Sequence, residues 1–301
     1  MPKHAYSVLS DYLKQISSDF NIHICINDFS GFMFLDSELT ELLQPFMIHG
    51  NPYCMMIKSD KFLWDKCQRM KKPIAEKCRV QKSTFYGMCY AGVEEYIVPI
   101  LYNGQLIGTI NAGVFCSHSK VGERFVKRVS QSSKLNESIL LKLYATSLNT
   151  NTPEIEKINS LLGIAAEYIS RIYYDFSLSY PELMNNTKYN SSEDNILSHT
   201  LEYVKRNYKK QVSVPDIARF CHCSVSYINH IFKKKMKVNI KLYINQLRVE
   251  DAKTYLTGTD LPVKTISSCI GFNDSNYFCK VFSEICGLSP TQFRKEKKPV
   301  I

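Results

Sequence analysis

Between Phe220 and Lys235 the chain reads FCHCSVSYINHIFKKK, which places Cys221, His222 and Cys223 side by side, then His230, then three lysines. Thiolates and imidazoles are zinc ligands, but sites built on paired ligands use two or more intervening residues and a second pair at a set distance. Here a single residue separates the cysteines and no second pair follows, so the spacing argues against a metal centre. An earlier set is more open. Cys67, Cys78 and Cys89 recur with ten residues between each. Such thiols can form a metal or redox cluster, line a ligand pocket, or pack as small apolar side chains. Equal spacing across mixed structure does not by itself bring three sulfurs together. Around them stand Trp64, Tyr86, Tyr90 and Tyr96, able to wall an apolar pocket, and Glu94 or Glu95, able to accept a hydroxyl hydrogen bond. The chain has no phosphate-cradling glycine loop, no G-x-S-x-G elbow and no H-E-x-x-H, so no enzymatic chemistry is expected.

The elements around the first set are helical. Ser213-Val214-Pro215-Asp216 is a helix start: Ser213 caps, Pro215 fits the first turn, and Asp216 suits the positive end of the dipole. Val214, Ile217, Ala218 and Phe220 or Cys221 form an inward face, and a break follows at His222-Cys223. Ser224 caps a second helix with Ile228, Ile231 and Phe232 inward and Ser226, Asn229, His230 and Lys233 outward. Two short helices joined by a tight turn predict a helix-turn-helix unit whose second helix lies on nucleic acid. An internal repeat strengthens this. Fifty residues after YINHIFKKK (227–235) comes YFCKVFSEI (277–285), aligning Tyr227 with Tyr277, Ile228 with Phe278, Ile231 with Val281 and Phe232 with Phe282. The helix before the second copy (263–271) ends at Gly271, and Asp274 or Asn273 caps the next. Between the copies, 239–256 is a helix with Leu242, Ile244, Leu247, Ala252 and Leu256 available for packing, and Ser289-Pro290-Thr291-Gln292 is a capping box for a last helix.

Upstream, strands and helices mix. EYIVPILYNGQLIGTINAG (95–113) is two apolar runs around Asn103-Gly104, the pair best suited to a type I′ hairpin. NIHICINDFSGFMFL (21–35) predicts another strand pair joined near Ser30-Gly31. Helices are expected at 5–20, 59–72 and from Pro153, where Ile155, Ile158, Leu162, Ala165, Ile169, Ile172 and Phe176 form one stripe: a core face, a dimer seam or a connecting rod. The polar stretch 177–194 reads as a linker. The expected architecture is an α+β domain over 1–176, able to enclose a small pocket, then an all-α domain over 195–301 with two helix-turn-helix units.

Bulk properties agree with two domains of different partner. The 301 residues are 45% apolar and 22% charged, as in a globular protein, and no apolar run approaches the ~20 residues needed to span a bilayer. The opening residues MPKHAYSVLSDYLKQ lack the apolar core of a secretory signal, so a cytoplasmic location and no membrane partner are expected. Eleven scattered cysteines fit reduced thiols. Residues 1–195 hold 20 Lys and Arg against 20 Asp and Glu, whereas 196–301 hold 18 against 8 and so carry the whole net charge of +10. A basic C-terminal domain prefers a polyanion.

At this point the residues carry a resemblance. The run from Ile217 to Leu256, followed by ISSCIGFNDSNYFCKVFSEICGLSPTQFRK (266–295), resembles the AraC-type DNA-binding domain over about residues 196–297. Met236-Lys237 departs from the acidic residue and glycine that the family carries there. Carried over residue by residue, the resemblance implies that Ser226, Asn229 and His230, and then Ser275, Asn276, Cys279 and Lys280, face base edges. Lys233, Lys234, Lys235, Lys295, Lys297 and Lys298 are expected at phosphates, and Tyr227 and Tyr277 in packing. Residues 8–170 resemble the PocR sensory domain, a relative of PAS and GAF folds, through Cys67, Cys78, CYAG (89–92), EEYIVPI (94–100) and NGQLIGTINAG (103–113), with Val114 where the family often has Gln. This implies a small effector such as a short diol, and a ligand-responsive activator acting on promoter DNA with RNA polymerase, with a homodimer as a candidate assembly. Cys67, Cys78, Cys89, Tyr90, Glu94 and Tyr96 are the expected effector-site residues, and no cofactor is called for. The alternative is a metal or redox sensing regulator that uses the same cysteines.

Overall fold

Asn103 and Gly104 take φ of 48° and 76°, the doubly left-handed geometry of a type I′ turn, and the hairpin they close organises the N-terminal half of the chain. The computed structural model describes residues 4–150, 155–179 and 191–297. It divides into two compact units, Met1–Asp194 and Asn195–Ile301.

In the first unit the strands β1 (His23–Asp28), β2 (Phe85–Met88), β3 (Glu94–Tyr102) and β4 (Gln105–Phe115) form one antiparallel sheet in the order β1-β4-β3-β2. The helices are α1 (His4–Asp19), α2 (Ser37–Leu43), α3 (Pro52–Lys58), α4 (Lys61–Arg69), α5 (Lys71–Gln81), α6 (Ser119–Gln131), α7 (Glu137–Ser147) and α8 (Ile155–Ser179). One sheet face is apolar. Ile24, Ile26, Tyr96, Val98, Ile100, Ile110 and Ala112 pack there against Leu9, Leu13 and Ile16 of α1 and against α8. The α8 stripe from Ile158 through Leu162, Ala165, Ile169 and Ile172 to Phe176 is buried in this core, which decides among its three readings; the side chain of Ile155 lies outside the described residues. Each fully buried Leu, Ile or Phe contributes about 1.5–3 kcal/mol. A second core joins α3, α6 and α7 through Tyr53, Ile57, Val126, Val129, Leu140 and Tyr144. β2 pairs only with Glu94–Ile97 of β3, so Pro99 sits on an open stretch of edge where a missing N–H is tolerated.

The expected strand pair over 21–35 is half wrong. β1 is present, but the chain then turns into a short 3-10 helix, Phe32–Phe34. The Asp28 carboxylate accepts from the backbone N–H of Ser30 (2.9 Å), Gly31 (2.8 Å) and Met33 (2.9 Å), wrapping the chain around itself instead of sending it back along β1. Of the expected linker, 177–179 continue α8 and 191–194 begin α9 (Ser191–Asn207); 180–190 lie outside the described residues.

The second unit is helical throughout: α10 (Val214–Phe220), α11 (Val225–Met236), α12 (Ile240–Gly258), α13 (Val263–Cys269), α14 (Ser275–Cys286) and α15 (Pro290–Lys297) follow α9. The caps are those expected. Ser213, Ser224 and Asp274 each accept a backbone N–H of the following turn, and Ser289 exchanges hydrogen bonds with Gln292. In α12, Ile244, Ala252 and Leu256 are buried as expected, but Leu242 is exposed, and Ile240, Tyr243 and Val249 complete the buried face. No helix among the described residues is long and apolar enough to cross a membrane.

Candidate functional site

Helices α11 and α14 are both twelve residues long, and their N-caps, Ser224 and Asp274, stand fifty residues apart. So do their C-caps, Lys237 and Gly287, which both take left-handed φ, 61° and 75°. The Met236-Lys237 departure therefore leaves the turn intact and places a lysine where the second copy has glycine. The turns before the two helices differ by one residue. His222 (φ 51°) precedes its cap by two positions and Gly271 (φ 94°) by three.

Each helix buries one face and shows the other. In α11, Ile228, Ile231, Phe232 and Met236 are buried, while Ser226, Asn229, His230, Lys233 and Lys234 are exposed. In α14, Phe278, Val281 and Phe282 are buried and Asn276 and Lys280 are exposed. Ser275 is half-buried, and Cys279 packs partly on the core built from Ile270, Phe272, Phe278 and Phe282. Lys280 is 4.0 Å from Glu284. Tyr227 and Tyr277 are not core residues: each is 40% exposed. Tyr277 accepts a hydrogen bond from Asn245 (3.4 Å), its ring meets Phe272 at 6.0 Å, and the Lys241 ammonium lies 5.7 Å from the ring centre. Lys295 is exposed; the Lys297 side chain and Lys298 lie outside the described residues. In the turn between α10 and α11, Cys221 is buried, 3.5 Å from the Thr200 hydroxyl, and burial pushes its thiol up to about 12. It packs as a small buried side chain.

A residue the sequence reading missed ties the unit together. Arg248 of α12 donates to the Tyr208 carbonyl (2.7 Å) and the Lys210 carbonyl (2.9 Å) and lies 5.1 Å from the Phe272 ring centre. Asp251 accepts from the Tyr208 hydroxyl at 2.7 Å and pairs with Lys209 at 2.7 Å, and Gln211 hydrogen-bonds Asn273. The loop after α9 is thus clamped onto the turn that precedes α14.

In the first unit the sheet face opposite the apolar core is buried yet polar. Strand register sets Cys25, Asn27, Asn111, Thr109 and Glu95 on it, each at most 8% exposed. They form one chain of contacts. Asn27 Nδ2 donates to Asn111 Oδ1 (3.1 Å), Thr109 Oγ1 donates to the same oxygen (2.9 Å), and Asn111 Nδ2 donates to Glu95 Oε2 (3.0 Å). Glu95 Oε1 lies 2.9 Å from His49 Nε2. Burial works against both charges, but the carboxylate and the Cys25 thiol beside His49 hold its imidazole well above the usual range. Likewise burial pushes the Glu95 carboxyl up, yet His49 and the Asn111 hydrogen bond outweigh it and leave it below the carboxylate range. The His23 ring stands edge-on to His49 at 6.0 Å and opens onto a pocket of about 490 Å³ lined by Ser17, Asn21, His23, Asn51, Val114 and Asn149, among others. Asn51 Oδ1 caps α3, while its buried Nδ2 has no hydrogen-bond partner among the described residues. Val114 is the extra residue of a β-bulge opposite Glu94 and Glu95, and its φ is 67°.

The expected effector residues fall in several places. Glu94 is fully buried and already held by the protein: Oε2 accepts from Tyr86 (2.6 Å) and Ser117, and Oε1 from the His118 backbone (2.9 Å). Tyr96 lies in the apolar core with its ring 4.7 Å from that of Tyr86. Tyr90 donates to the Leu63 carbonyl at 2.8 Å and, with Cys89, packs against the second core. Cys89 is half-buried, its thiol pushed up by burial; Cys78 is fully buried in α5, pushed up to about 11. Among the described residues no three His, Cys, Asp or Glu side chains are placed to hold a metal ion. Of the two glutamates weighed in the sequence, Glu95 is the one on the polar face. Asn27, Thr109 and Asn111 were legible only as alternate polar positions in apolar strands.

Residues 7–174 match the family described as the sensory domain found in PocR, and residues 217–296 match a helix-turn-helix domain family. The Msm operon regulatory protein of Streptococcus mutans serotype c is 31% identical over 180 residues, covering 59% of this chain and 61% of that protein. The raffinose operon transcriptional regulatory protein RafR of Pediococcus pentosaceus is 31% identical over 139 residues, 46% of this chain and 50% of its own. The chain thus spans about half to three-fifths of the length of these two curated relatives. Regulatory protein PocR of Salmonella typhimurium is 19% identical over 306 residues, covering 97% of this chain and 96% of that protein. With more than half of its length matched by the sensory-domain family, the chain belongs to the PocR-type sensory-domain family and, through its C-terminal unit, to the AraC-type helix-turn-helix regulators.

Proposed function

We propose that the protein is a sequence-specific DNA-binding transcription regulator, an activator in the cytoplasm, controlled by a small effector held in the N-terminal unit. The observation that carries this reading is the pair of capped twelve-residue helices, α11 and α14, each with an apolar face buried and a polar face exposed. In this reading α10–α11 and α13–α14 are two helix-turn-helix units whose second helices enter successive major grooves. Ser226, Asn229, His230, Ser275, Asn276 and Lys280 read base edges, with Cys279 contributing only its exposed edge. Lys233, Lys234 and Lys295 hold phosphates. The sheet flanked by helices is PAS- or GAF-like, and domain limits of 1–176 and 195–301 are retained around a linker.

The effector is a small, neutral, oxygen-bearing molecule such as a short diol. The buried polar face with Asn27, Thr109, Asn111 and Glu95, and the neighbouring pocket with the unsatisfied Asn51 amide, support this class better than an apolar one. Binding must favour the active arrangement over the inactive one. Homodimerisation and contact with RNA polymerase complete the activator reading. The metal or redox alternative finds no trio of ligands among the described residues.

Two measurements test this. Thermal unfolding of the full chain against short diols, aldehydes and metal ions should show a concentration-dependent rise of the first unit's midpoint with a diol, and Asn51→Leu should abolish it. A rise with metal alone would move the reading to the cysteines. Asn276→Ala should flatten base preference at one or two positions in one half of the site; a uniform loss across all sequences would assign Asn276 to the backbone.

A further inference from the structure

The zero charge balance of residues 1–195 hides a segregation. Between Lys61 and Lys82 stand eight Lys and Arg against only Asp65 and Glu76, while the remaining residues to 195 hold twelve against eighteen. Helices α4 and α5 bury Leu63 and Trp64, and Ala75 and Cys78, respectively. Outside lie Lys66 and Arg69 of α4, Lys72, Lys77 and Arg79 of α5, and Lys82 at the α5 C-cap, all exposed. A face that serves only solubility alternates signs and pairs them along the helix. Here Lys61 meets Asp65 at 3.7 Å, but none of those six cations makes an ion pair among the described residues. Two rest on rings instead, Lys77 at 4.0 Å from the Phe85 centre and Lys66 at 5.0 Å from that of Tyr90.

We propose that this α4–α5 surface holds the phosphate backbone of the same duplex that the C-terminal unit reads, as a second, sequence-independent anchor. The inference rests on the DNA-binding reading above. Duplex DNA carries one charge per about 1.7 Å of axis, a density that favours an array of unpaired cations. Tethering raises the local phosphate concentration around the N-terminal unit to about millimolar, so even weak contacts register. A protein partner would also use Phe62 and Val80, which are 52% and 83% exposed beside these cations, and the test separates that case.

The probes are a duplex enriched from a random pool by the full chain and an unrelated duplex of equal length, titrated over a range of salt. The full-length variants are K72E/K77E/R79E and K72Q/K77Q/R79Q, with unfolding midpoints measured to confirm the fold. Each lost phosphate contact lowers the slope of log affinity against log salt by about 0.9, so a reduction of about 2 to 3 is expected in both variants. Affinity at low salt should fall at least about tenfold for both duplexes equally, leaving their ratio unchanged. A wild-type slope and affinity in both variants overturns the proposal. So does loss of promoter activation with duplex binding unchanged, which assigns the surface to an acidic protein. Should the unmodified chain bind neither duplex, the DNA-binding reading itself fails, and the wild-type titration shows it separately.

Discussion

Gly271→Ala tests the clamp between the α9–α10 loop and the turn before α14. Gly271 has φ of 94°, and a Cβ there would lie 2.7 Å from the Lys209 carbonyl oxygen and 2.9 Å from that of Tyr208. Both are backbone atoms of the loop held by Arg248, so neither can swing aside. Two penalties combine. A left-handed conformation costs a non-glycine residue about 1–2 kcal/mol. Displacing the loop weakens two hydrogen bonds from a charged donor, each contributing about 1.5–3 kcal/mol, and losing even half of that brings the total to about 3 kcal/mol or more. Gly287→Ala is the control. Its φ is 75°, but nothing lies within 4 Å of the added Cβ, so only the conformational penalty of about 1 kcal/mol applies. Urea unfolding of the full chain, followed by the helical signal of the second unit, measures both, and duplex binding should fall in parallel for Gly271→Ala. If Gly271→Ala proves no worse than Gly287→Ala, the contact between loop and turn is not what the glycine is for. The mirror experiment is Lys237→Gly, which should stabilise α11 by about 0.5–1 kcal/mol by relieving the lysine's left-handed φ.

In the first unit, a Cβ on Gly122 of α6 would fall 1.7 Å from the Tyr144 hydroxyl oxygen, so Gly122→Ala should cost about 3 kcal/mol in thermal unfolding. Tyr144→Phe alone loses its 2.9 Å bond to the Gly92 carbonyl, about 1 kcal/mol, and should recover part of the loss when combined with Gly122→Ala. The Glu95–His49 pair predicts a pH window. Glu95 is depressed in the fold, so its contribution is whole above the ordinary 4.5 and is lost as pH falls through the lower folded value. His49 is raised, so its contribution is whole below the ordinary 6.5 and is lost as pH rises through the higher folded value. Melting of the first unit should therefore peak between these values. Glu95→Gln should lower stability by about 3–5 kcal/mol and remove the alkaline decline, which a pH series of melts reads directly.

The C-terminal unit was legible because its signals are local. Ser213, Ser224, Asp274 and the Ser289–Gln292 box each fix a helix start within four residues, and the fifty-residue repeat aligns two buried faces. Arg248 was not legible, because its partners lie about forty residues away and are carbonyls, which any residue supplies. In the N-terminal unit Asn103-Gly104 announced its hairpin, whereas Asp28 hid a turn inside what reads as strand, since one carboxylate gathering three backbone N–H groups leaves no periodic trace. The candidate effector site was the least legible part. Glu94 and Glu95 are chemically identical, and only the pairing of β3 with β4 sends one to the corner held by Tyr86, Ser117 and His118 and the other to the polar face.

That adjacency makes a single peptide bond into a lever. Glu95 is bound on one side of the sheet to Asn111 and His49; Glu94, one residue earlier, is gripped by Tyr86, Ser117 and His118 at the entrance to α6. A guest that draws the Glu95 carboxylate by a fraction of an ångström must drag the backbone it shares with Glu94, or break one grip to keep the other. The strand cannot slip to accommodate it, because a shift of one residue would turn each carboxylate toward the other's partners. In the proposed regulator, occupancy of the polar face would thereby put tension on the start of α6, a readout that needs no large movement and no wire of side chains across the core.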